Sequence, residues 1–146
     1  RGHRPPCLRG GSGSLAASSS PWWGRGRSAR RRSSQSGLTL KETRRDRPLW
    51  GRIVESAVGA HLANAAAGGA CELYYWRDRD REVDFVARVG QTLTAIEVKS
   101  GRPRDAHSGL TALGEAYRLK RKLLVGGDGI PLEEFLSRPV EHWVRR

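Results

Sequence analysis

Gly90 and Gln91 stand between two stretches that alternate in polarity, Glu82 to Arg88 and Thr92 to Lys99. A Gly-X pair there suits a two-residue type II′ turn. Centred on that turn, strand partners have numbers that sum to 181. Asp84 then faces Glu97 and Glu82 faces Lys99, all on the sheet face that also carries Val86, Ala95 and Leu93. Like charges directly opposite each other destabilise a sheet. Two carboxylates placed this way make sense if a cation sits between them.

The flanking sequence supplies elements for that hairpin to pack on. From Leu49 to about Ala66, Trp50, Ile53, Val54, Ala57, Val58, His61, Leu62 and Ala65 recur at three- and four-residue spacing, which predicts an amphipathic helix ended by Gly68-Gly69. Glu55 sits at the edge of its apolar stripe. Glu72 to Trp76 is aromatic and β-prone, with Tyr74 and Trp76 expected in the core and Tyr75 on the other side. The loop Arg77 to Arg81 follows, its Asp78 and Asp80 expected as solvated turn residues. Leu110 to Leu119 reads as a second long helix. Its basic end, Arg118 to Lys122, suits the helix dipole. Leu123-Leu124-Val125 reads as a short buried strand, and Pro131 to Leu136 as a final helical turn. The fold class is α/β, in the order α-β-β-β-α-β around one mixed central sheet flanked by helices.

Net charge is +12 over 146 residues, but +10 of it lies in residues 1–48. Residues 1–37 contain 9 Ser, 8 Arg, 7 Gly and 3 Pro, too little apolar surface to offset chain entropy. We therefore expect residues 1–35 to be a disordered basic tail and 36–146 to be the folded domain. The chain opens on Arg and contains no Met. With its Arg/Gly/Ser/Pro/Trp bias, the tail also reads as a frameshift or fragment product. Cys7 and Cys71 are too few for a disulfide framework or a Cys-based zinc site. No apolar run reaches the roughly 20 residues of a membrane helix. These features predict a cytoplasmic protein with no membrane partner.

Asp84, Glu97 and the Val98 carbonyl offer three oxygens to a hard cation such as Mg²⁺ or Mn²⁺. Lys99, two residues after Glu97, emerges on the same face and is placed to orient a water or stabilise charge on a phosphate. Glu55 completes the set through a water. Arg102 and Arg104 after the active strand, and Arg118 and Lys120 beyond the second helix, are the phosphate-contact candidates.

Asp84 followed by Glu97-x-Lys99, behind a helix bearing Glu55, resembles the PD-(D/E)xK nuclease superfamily. The blocks LWGRIVESAVGAHL, ELYYWRDRDREVDF, AIEVKSG and LLVGGDGIPLEEFL resemble the C-terminal DUF4143 domain that follows an AAA-type ATPase domain in prokaryotic ATP-binding proteins. The resemblance spans roughly Ser36 to Trp143. It implies a restriction-endonuclease-like fold, Asp84 and Glu97 as metal ligands, Lys99 as the catalytic lysine and Glu55 as the helix acid. No G-x-x-x-x-G-K-[ST] sequence occurs, so this chain carries no ATP site of that type. The expected function is Mg-dependent hydrolysis of DNA phosphodiester bonds. The alternative is a non-catalytic module that binds nucleic acid, an ATPase domain or another partner protein.

Overall fold

The computed structural model describes residues 14–17, 37, 39–100 and 107–145. Ten elements follow in order: β1 (Ser14–Ala17), α1 (Leu40–Arg45), α2 (Arg47–Ala67), β2 (Glu72–Asp78), β3 (Arg81–Val89), β4 (Thr92–Val98), α3 (His107–Ala116), β5 (Leu119–Val125), α4 (Leu132–Ser137) and α5 (Val140–Val144). The expected α-β-β-β-α-β series is α2 through β5. The strands form one five-stranded sheet in the order β1-β2-β3-β4-β5. Neighbours are antiparallel except β4 and β5, which are parallel. A parallel pair needs a crossover, and α3 supplies it.

Helices cover both faces. On one, Val54, Val58 and Leu62 of α2 pack with Leu73, Phe85, Ala87, Ile96 and Val98, and with Phe135, Val140, Trp143 and Val144 of α4 and α5. On the other, Leu110, Ala112 and Leu113 of α3 meet Tyr74, Trp76, Val83, Val86, Leu93 and Ala95. The sheet is thus the middle of three layers, compatible with a restriction-endonuclease-like core.

Local chemistry sets the ends. The Asp46 carboxylate accepts the Leu49 N–H at 3.1 Å and Pro48 lies in the first turn, so α2 starts as a capped helix should. Thr39 and Glu42 form a reciprocal capping box on α1. Gly90 adopts φ +60, and the strands it joins pair from Val89 with Thr92 to Phe85 with Ile96. Each of those pairs keeps the 181 register.

Four expectations change. First, β3 does not alternate strictly. Tyr74 pairs with Val86 and Trp76 with Val83, so Asp84 and Phe85 together oppose Tyr75 alone. This is a β-bulge, and it puts Val83 in the α3-side core while Phe85 and Ala87 lie in the α2-side core. Second, α3 stops at Ala116, and Leu119 to Lys122 form the first half of β5. As the last strand, β5 has one open edge, where lysines are tolerated and discourage stray pairing. Third, Ser14–Ala17 pairs with β2, although it lies in the segment expected to be a tail. Backbone pairing on a sheet edge does not require the large apolar side chains that segment lacks. The rest of residues 1–35 lies outside the described residues. Fourth, Ile53 is solvent-exposed and not part of the helix stripe.

Phe135 is fully buried, with its ring stacked on Trp143 and met edge-on by His61. It ties α4 and α5 to α2. Phe135→Ala is expected to cost about 3–5 kcal/mol in urea unfolding. A loss below about 1 kcal/mol would show that this corner does not hold the helical layer together.

Candidate functional site

The site forms where the β3–β4 ladder ends. The next residue in line after the Phe85–Ile96 pair is Asp84, displaced by the bulge. Its carboxylate accepts the Val98 N–H at 2.8 Å. That N–H would otherwise continue the ladder to β3, so the side chain takes the place of a strand partner. The Lys99 N–H donates to the Val125 carbonyl at 2.8 Å, so the other side of the segment remains tied to β5.

Glu97 is buried, at 6% exposure. Its Oε1 accepts from the Lys99 ammonium at 2.7 Å. Its Oε2 is buried and has no hydrogen-bond partner. An ionised oxygen left this way is costly and invites a positive group. Lys99 was open to pairing with Glu82 on register alone. The structure pairs it with Glu97, and leaves the ammonium partly exposed.

Glu55 arrives from α2. Gly51, one turn earlier, packs on the Ser100 hydroxyl just past β4, which sets that stretch of helix over the strand end. Burial raises the Glu55 pKa, and Glu82 and Glu97 raise it further while Lys99 opposes them. Asp84 moves most, to about 7. Burial is the main cause, with Glu97 and Glu55 adding repulsion; the Val98 N–H and Lys99 counteract them. For Lys99, burial disfavours the ammonium, but the hydrogen bond and charge of Glu97, with Asp84 and Glu82, outweigh it and raise the pKa.

Asp84, Glu97, Lys99 and Glu55 are therefore electrostatically coupled. No group of three His, Cys, Asp or Glu side chains arranged to hold a metal ion occurs among the described residues. A cation here would rely on Asp84 and Glu97, with the Val98 carbonyl as the third oxygen. The unpartnered Glu97 oxygen and the repelled Asp84 carboxylate fit that demand.

Residues 50–133 match the model of a domain of unknown function, DUF4143. The chain belongs to the DUF4143 family. The matched stretch contains all four coupled residues. A UPF0102 protein of Parafrankia sp. (strain EAN1pec) is 40% identical over 73 residues, which cover 49% of this chain and 60% of the relative. The chain thus spans about 60% of that curated relative's length. No solved structure matches.

Arg102 and Arg104 lie outside the described residues. Arg118 and Lys120 are exposed at the start of β5, whereas Glu97 lies opposite Leu124 near its end. At about 3.3 Å per residue, Lys120 is roughly 13 Å along the strand from the site. Tyr74 and Trp76 are core residues and Tyr75 is 48% exposed. Cys71 is buried, where burial raises its thiol pKa. His61 is hydrogen-bonded to the Arg138 carbonyl. His142 is half-buried, edge-on to Trp143. No helix among the described residues is long and apolar enough to cross a membrane. Sequence reasoning missed the bulge at Asp84, for which β3 carries no Gly or Pro.

The raised Asp84 pKa makes stability pH-dependent with a known sign. Its ordinary value is 3.8 and its folded value about 7. Below both, the group is neutral in either state and contributes no penalty. Between them the folded state binds the extra proton, so stability falls as pH rises, by up to about 4 kcal/mol. Asp84→Asn keeps an acceptor for the Val98 N–H and removes the charge. It is expected to be more stable than wild type at pH 8, with the gap closing toward pH 4, in urea unfolding without divalent cations. A variant less stable than wild type at pH 8 would contradict the assigned cost of burying the Asp84 charge beside Glu97 and Glu55.

Proposed function

We propose that this domain hydrolyses DNA phosphodiester bonds at the Asp84–Glu97–Lys99 end of the sheet, with Mg²⁺ or Mn²⁺. The supporting observation is the buried Glu97 carboxylate, one oxygen on Lys99 and the other unpartnered, next to Asp84. The resemblance to PD-(D/E)xK nucleases agrees with it.

Asp84, Glu97 and the Val98 carbonyl would hold the cation, which when bound neutralises phosphate charge and makes a water more acidic. Lys99 is held in direction by Glu97 while part of its surface stays open. Its ammonium donates to a non-bridging phosphate oxygen and stabilises the charge that grows there. Glu55, half-buried and biased toward its neutral form, hydrogen-bonds a water at the open side. Arg118 and Lys120, if they meet the same substrate, contact phosphates away from the cut and add affinity without choosing sequence.

A second reading has its own support. Residues 49–146 carry a net charge of only +2, and Arg118 and Lys120 lie at the far end of β5 from the carboxylates. Both facts suit a non-catalytic module that serves an AAA-type ATPase or another protein.

Purified chain is incubated with supercoiled and linear DNA and Mg²⁺ or Mn²⁺. Cleavage is expected, falling by about 100-fold or more in Asp84→Ala and Lys99→Ala. Cleavage that survives both substitutions belongs to something else. No cleavage by folded wild-type chain with either cation favours the module.

A further inference from the structure

Two glycines on different elements touch the backbone on either side of the site. Gly109 lies in the first turn of α3. A methyl group there would fall 2.1 Å from the Glu82 carbonyl oxygen and 3.0 Å from its carbon. Gly126 follows β5, and a methyl group there would fall 2.2 Å from the Lys99 carbonyl oxygen. Backbone atoms cannot swing aside as a side-chain end can, so neither position takes a Cβ without a shift of main chain. Glycine is a poor residue for a helix interior, and at Gly109 it allows the helix to seat directly on β3.

The consequences converge. Glu82 is two residues before Asp84, just ahead of the bulge, and its other neighbour is Arg77 of β2. Seating α3 on the Glu82 carbonyl limits where the bulged Asp84 can go. Lys99 has its N–H on the Val125 carbonyl and its own carbonyl against Gly126. Gly126 is itself fixed by donating to the Ile130 carbonyl at 2.7 Å and by φ +78. The end of β5 thus grips the Lys99 backbone on both sides of its Cα.

We infer that Gly109 and Gly126 are positioning residues of this site, Gly109 setting Asp84 through the Glu82 backbone and Gly126 setting Lys99 through its carbonyl. The catalytic consequence rests on the nuclease reading above; the positioning itself does not.

Two controls share the local cost without the contact. Gly114 lies in the same helix and meets chiefly the flexible end of Lys122. Gly69 has the same φ of +78 as Gly126, with nothing within 4 Å of an added methyl. Amide hydrogen exchange and amide shifts are recorded for Gly109→Ala, Gly126→Ala, Gly114→Ala, Gly69→Ala and Asp84→Ala. Gly109→Ala is expected to speed exchange of the Val98 amide at least 10-fold beyond any global change, as Asp84→Ala does. Gly126→Ala should do the same at the Lys99 amide, and neither control should. In the DNA assay, the two site variants should lose at least 10-fold in kcat with KM little changed. Val98 and Lys99 amides that respond no more than in the controls would overturn the inference. If wild type does not cleave, the nuclease reading fails while the amide results still decide the positioning. If an alanine variant does not fold, native-state exchange on wild type decides for that glycine. The Val98 amide must open together with α3 and the Lys99 amide with the end of β5; independent opening overturns the assignment.

Discussion

Two carboxylates on neighbouring strands, drawn out of water beside one ammonium, are the constraint around which this end of the molecule is arranged. The β3–β4 ladder stops at Phe85 and Ile96, and the Asp84 side chain takes the Val98 N–H where the strand would have continued. Glu97 is buried on the adjacent strand, with Lys99 on one oxygen and nothing on the other. A pair of this kind lowers stability unless more positive charge arrives. The centre of the sheet is apolar and covered on both faces, so the paired acids are confined to one end. A local cost of this kind, set inside an otherwise ordinary core, is the kind of strain that collects at functional sites.

Much of this could be read from the chain. Gly90 followed by Gln91 fixed the hairpin register because a two-residue turn leaves no slack. From that register alone, Asp84 and Glu97 had to be neighbours. The periodicity of Val54, Val58 and Leu62 placed α2 on the sheet and brought Glu55 with it. Tyr74 and Trp76 were recognisable as core by their shared parity.

What was hidden was hidden for physical reasons. The bulge at Asp84 and Phe85 depends on how β2 and β3 share one position, and no local residue type marks it. The strand Leu119–Val125 was obscured because its first half is basic. Lys120 and Lys122 read as a helix end, yet an edge strand accepts lysine on its open side. Likewise β1 gains its place through backbone pairing, which composition does not record. The large positive charge of the chain proved a poor guide. It belongs mainly to residues 1–48, and the four coupled site residues are three acids and a single lysine.

The proposed nuclease chemistry depends on a divalent cation completing the Asp84–Glu97 end of the sheet. Isothermal titration calorimetry of Mn²⁺ into the purified chain at pH 8 tests it most directly, with the Glu97→Gln variant alongside. Saturable binding near one cation per chain, lost or weakened at least 10-fold in folded Glu97→Gln, is the expected result. Folded wild-type chain that takes up no cation, or that binds it equally well without the Glu97 charge, would contradict the account.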